Sequence, residues 1–138
     1  MANPFGRNIP DAALSAAPFA LPAAASSSTQ SAAIDLGPGQ KPENVQLELA
    51  IPALSATIAP NATTVTLTIE SSTTSNFAAI SRTLASVILT GASGAGVPAS
   101  SLAAPLPPDS ERFVRGKVSF GSGATTGAAL SATCGLRT

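Results

Sequence analysis

Few side chains in this sequence can do chemistry, and their types narrow its role at once. Histidine, tyrosine and tryptophan are all absent, which removes the usual general base, the commonest metal ligand and the aromatic platforms on which sugars and bases stack. Cys134 is the single cysteine. It can form no intrachain disulfide, and with no histidine to activate it, it reads as a small buried hydrophobe on the last strand. Asp35, Glu43, Glu48, Glu70, Asp109 and Glu111 are spread over different strands and turns, most at positions where solvation is the expectation. No D-x-D-x-D or C-x-x-C spacing makes a case for calcium or zinc, and the serines lack both a histidine and a G-x-S-x-G elbow. The glycines of 91–96 run G-x-x-G-x-G with no lysine or helix after them, so they read as a flexible turn and not as a phosphate cradle. The expectation is a protein that is not an enzyme and uses no metal or cofactor.

Size and charge point the same way. The chain has 138 residues, enough for one domain with a real core and too few for two ordinary ones. Seven basic and seven acidic residues cancel, so no basic field attracts nucleic acid or an acidic membrane surface. Only 10% of residues are charged; alanine, serine and threonine take their place, giving a surface suited to packing against a neighbour. No run of 18 apolar residues marks a membrane-spanning helix.

The elements that position these residues read as strands. In 63–70 the apolar Val65, Leu67 and Ile69 alternate with threonines, the period of two that puts one face in a core and the other toward water. Val45, Leu47, Leu49 and Ile51 repeat the pattern before Pro52, and Val114, Gly116, Val118 and Phe120 do so later, with Arg115 and Lys117 on the solvent side. Further strands are expected at 31–36, within 80–90 with a bulge, at 100–106, and in a last hairpin that sets Leu130, Ala132, Cys134 and Leu136 on one side. Arg112, Arg115 and Lys117 lie beside Asp109 and Glu111, so a solvated strand face is expected there.

Residues 1–25 differ. Pro4, Pro10, Pro18 and Pro22 interrupt an alanine-rich run and rule out a long helix. The stretch imitates a secretory signal, but Asp11 and Pro18 break its apolar patch. It is expected to be an extended arm, reaching on the order of 80 Å at full stretch. The fold class is therefore all-β: a jelly-roll-like β-sandwich of seven or eight short antiparallel strands over 26–138, preceded by the extended N-terminal arm of 1–25.

The ordered set Ala33-Ile34-Asp35-Leu36-Gly37, then Val65 to Ser72 followed by Asn76-Phe77, then Leu106-Pro107-Pro108 and Arg112-Phe113-Val114-Arg115 resembles the jelly-roll cement, or decoration, proteins of tailed-bacteriophage heads. The resemblance covers roughly 31–136. It implies a homotrimer on the outer surface of the capsid, in the virion, that bridges adjacent major capsid protein subunits. Two departures stand out: the first 25 residues look longer than the usual lead-in, and Phe113 stands where a hydroxyl-bearing aromatic is common. The larger side chains of the arm, Phe5, Arg7, Ile9, Leu14, Phe19 and Leu21, are the candidate capsid or subunit contacts. The alternatives are another virion part, such as a head fibre base or tail component, and a carbohydrate-binding module, which lacks its usual exposed tryptophan or tyrosine.

Overall fold

The threonine-rich strand is the best-buried element of the structure, a computed structural model that describes residues 15–36, 45–79, 82–106 and 111–137. The described residues form nine strands: β1 (Ser15–Ala20), β2 (Ser28–Gln30), β3 (Ile34–Asp35), β4 (Gln46–Ile51), β5 (Thr64–Ser72), β6 (Arg82–Thr90), β7 (Ser100–Pro105), β8 (Phe113–Phe120) and β9 (Ser131–Arg137). No helix occurs among the described residues. In β5 the side chains of Val65, Leu67 and Ile69 are fully buried, as the alternation with threonine requires. Leu47, Leu49 and Ile51 of β4, Val114 and Val118 of β8, and Ala132, Cys134 and Leu136 of β9 are buried with them.

The pairings are nested. β5 lies antiparallel to β6, β4 to β7, β2 and β3 to β8, and β1 to β9, as in one long hairpin whose tip is the β5–β6 connection. Cross-pairing of β4 with β9 and of β5 with β8 winds this hairpin into two sheets, with strand orders β1-β9-β4-β7 and β2-β8-β5-β6, β3 also pairing with β8. That winding is a jelly roll, with the core between the inner faces of the sheets. Gly116 of β8 gives the sheets their close approach: a Cβ there would sit 2.8 Å from a methyl group of Leu49 and 3.1 Å from Cys134 Sγ.

Two expectations from the sequence need correction. The first concerns the arm. Ser15–Ala20 is the outer strand of a sheet, paired to β9, and Leu21, 1% exposed, belongs to the core. The jelly roll thus begins before the boundary expected at residue 26. Pro18 is tolerated because β1 is an edge strand with a register shift between Ala16 and Phe19, where a missing N–H breaks no ladder. Second, the polar face of β5 and β8 is not uniformly solvated. Glu70 and Ser72 are buried: the connection 73–79 hydrogen-bonds the Ser72 hydroxyl through Thr74 N–H and Ala79 O, and its Phe77 lies against Arg115, the partner of Glu70. The bulge expected in β6 is present: Ile69 faces Ala85 and Glu70 faces Thr83, leaving Leu84 as the extra residue.

Candidate docking surface

Jelly-roll winding brings four connections to one end of the sandwich: 21–27, 52–63, 91–99 and 121–130. None of the four contains a charged residue. Their exposed surface is built from alanine, serine, threonine, glycine, asparagine and proline, including Ala23, Ala24, Asn61, Ser93, Pro98, Ser122 and Thr126. These loops are tied to one another through the backbone. Leu54 and Val97 exchange N–H···O bonds of 2.7 and 2.9 Å, Gly91 N–H donates to Thr63 O and Ala62 N–H to Gly91 O, and Ser26 N–H donates to Gly121 O. Gly127 N–H reaches Pro22 O, while Thr125 binds 52–63 twice, through its N–H to Ile58 O and its hydroxyl to Thr57 O at 2.8 Å.

This order corrects the flexible turn expected at 91–96. Ala92 and Gly96 form a bridge, and Gly96 holds φ of +69° with its backbone against Leu54 O, where a Cβ would collide. Only glycine fits both conditions. Backbone hydrogen bonds across all four loops make the end a preformed surface, which a partner can cover without first ordering it.

Charge is gathered elsewhere, and much of it is already neutralised. Arg115 Nε donates to Glu70 Oε1 at 3.0 Å, with side-chain exposures of 16% and 5%, and the guanidinium lies 4.2 Å from the Phe77 ring centroid. Phe77 reaches that position through a left-handed backbone, φ +51°, which costs on the order of 1 kcal/mol. Beside it, Arg112 grips Asp35 with two hydrogen bonds of 2.7 and 2.8 Å and lies 5.2 Å from the Phe113 ring centroid. The hydrogen bond to Asp35, then its charge, raises the Arg112 pKa. This second pair is about half exposed, so water screens it and it adds little stability. The solvated basic face expected around Arg115 is therefore a pair of Arg–carboxylate–Phe clusters. Among the described residues no group of three or more potential metal ligands converges.

Cys134 sits where expected, buried in the core. Burial, only partly offset by hydrogen bonds from Ser31 and Gly116, pushes its thiol up to about 11. Below pH 9 the neutral thiol predominates in folded and unfolded chains alike, so its contribution to stability is constant; it declines between about pH 9 and 11, as the unfolded chain gives up its proton first. A thiol reagent at pH 8 is expected to label the native protein at the rate of global opening and the urea-unfolded chain at once.

Of the contacts expected from the arm, Phe5, Arg7, Ile9 and Leu14 lie outside the described residues. Phe19 is half-buried on β1, opposite Ala132, and packs against the core. Leu21 is wholly within the core and offers no surface to a partner. The charge-free loop end was present in the sequence as four uncharged stretches; their convergence follows only from the winding.

No protein-family model matches the chain, and no curated protein does. Among solved structures it is similar to PBSX exported protein XepA, with a TM-score of 0.53 at 17% sequence identity. The match covers 99% of this chain and 38% of that one. A likeness at this identity speaks for a shared fold. The chain thus spans well under half the length of that neighbour.

Proposed function

We propose that this chain is a decoration, or cement, protein of a tailed-phage head: it binds the outer surface as a trimer, bridges adjacent major capsid protein subunits and stabilises the shell by contact alone. The observation that carries the reading is the preformed, charge-free loop end. Covering it strips no charge of its water, a cost of several kcal/mol per ion where no partner replaces that water, and its small side chains allow close approach. The likeness in fold to a phage PBSX protein and the resemblance to phage cement proteins support the same assignment. None of the four connections carries an aromatic residue, so each contact is modest. Three linked copies hold where one would leave, because the second and third contacts become intramolecular.

The test is a variant carrying Asn61→Asp, Ser93→Asp and Ser122→Asp, one charge on each of three loops at exposed positions. Each surface change is expected to alter stability by less than about 0.5 kcal/mol. Affinity for purified undecorated heads, measured by co-sedimentation, is expected to fall at least about 100-fold, since an unpaired charge buried in an interface costs roughly 2–5 kcal/mol. Thr133→Asp, on the exposed face of β9, is the control and binds as before. Undiminished binding by the triple variant would overturn docking through this end.

A further inference from the structure

Among the described strands, β6 presents the least protected edge. β6 pairs with β5 on one side and with no described strand on the other. It is nine residues long, and none of its side chains is fully buried. Leu84, Val87 and Leu89 on the core side are only half-covered, as is Leu102 on the facing strand β7, while Ile88 on the opposite side is 64% exposed. Between Thr83 and Thr90 there is no charge and no proline. Edge strands of monomeric sandwiches are usually blunted by charged side chains, proline, a covering loop or shortness; here the strand's own devices are Arg82 at its first position and a bulge at Leu84. By contrast, β1, an edge strand of the other sheet, carries Pro18.

We infer that the β6 edge is where copies of this chain meet, the core-side wall of Leu84, Val87, Leu89 and Leu102 in one copy lying against the Ile88 side of β6 in the next. Such a contact joins two different surfaces, so it is satisfied throughout only when the copies close into a ring. The area is adequate. A nine-residue strand is about 30 Å long and an edge of two sheets roughly 20 Å deep, so each copy covers on the order of 600 Å² and each contact about 1,200 Å² in total, the lower limit for a stable interface. Each copy in a ring has two such contacts, which offsets their modest size. The inference deepens the decoration reading and rests on it for the choice of three copies; the contact itself rests on β6 alone.

Sedimentation velocity on the full chain, without heads, tests it. The wild type is expected to have three times the chain mass at micromolar concentration, and Ile88→Lys the mass of one chain with an unchanged far-ultraviolet spectrum. Ile88→Thr, which suits an exposed strand position, is expected to weaken the trimer at least tenfold, and Thr133→Lys on the other sheet to leave it intact. A wild type of one or two chain masses, or a fully trimeric Ile88→Lys, overturns the contact. A monomer that still binds heads overturns the β6 contact and spares the docking end; a trimer that ignores heads does the reverse.

Discussion

A chain beginning after residue 25 is expected to lose cooperative unfolding. The cut removes β1, whose ladder covers one edge of β9 from Gly135 to Ser131, and so opens the core beside Ala132 and Cys134. It also removes Leu21, 1% exposed, and Pro22, whose carbonyl accepts the Gly127 N–H at 2.8 Å. Leu21→Ala alone is expected to cost about 2–5 kcal/mol, the range for a leucine deleted from a packed core. A domain of this size has roughly 5–15 kcal/mol in all, so losing the strand, the leucine and the half-buried Phe19 together leaves little or nothing. Urea unfolding followed by circular dichroism is the measurement: the truncated chain should show no sigmoidal transition, and Leu21→Ala a lowered midpoint with an unchanged slope. A wild-type transition in the truncated chain would mean that 15–22 is an appendage after all.

Glu70→Ala is expected to be the most damaging single change on the outer face of a sheet. It leaves the Arg115 guanidinium, 16% exposed, under the 73–79 connection without its carboxylate, and removing one partner of a buried pair costs about 3–5 kcal/mol. The residual exposure of Arg115 puts the expected loss near the lower figure. Replacing both partners, Glu70→Leu with Arg115→Met, removes the stranded charge and should recover most of the loss, because apolar side chains of similar size substitute well for a buried pair. Phe77 makes the result specific: its contact with Arg115 persists in Glu70→Ala and is lost in Arg115→Ala. Equal stability of Glu70→Ala and wild type in urea would show that water reaches the pair.

These two expectations mark where the sequence was legible. Strands β4, β5, β8 and β9 could be read directly, because a half-buried strand between a core and water must alternate, and Val65, Leu67, Ile69 against threonine is that alternation. Turn signals about every ten residues gave the sandwich and its jelly-roll character. β1 was not legible: Pro18 and the three alanines of its six residues carry little strand preference, and the strand exists because β9 offers an edge that tolerates a bulge. Nor could the Glu70–Arg115 pair be read, since 45 positions separate its partners and only the β5–β8 register sets them side by side. The docking end has the same origin. Four unremarkable stretches of small residues become one surface because nested pairing returns every second connection to the same end.

Image reconstruction of phage heads mixed with the purified protein tests the central claim most directly. The account predicts density on the outer surface of the shell, with 21–27, 52–63, 91–99 and 121–130 facing the major capsid protein and the Arg112 and Arg115 clusters pointing away. Density confined to the tail, or a sandwich bound with its charged clusters against the shell, would contradict it.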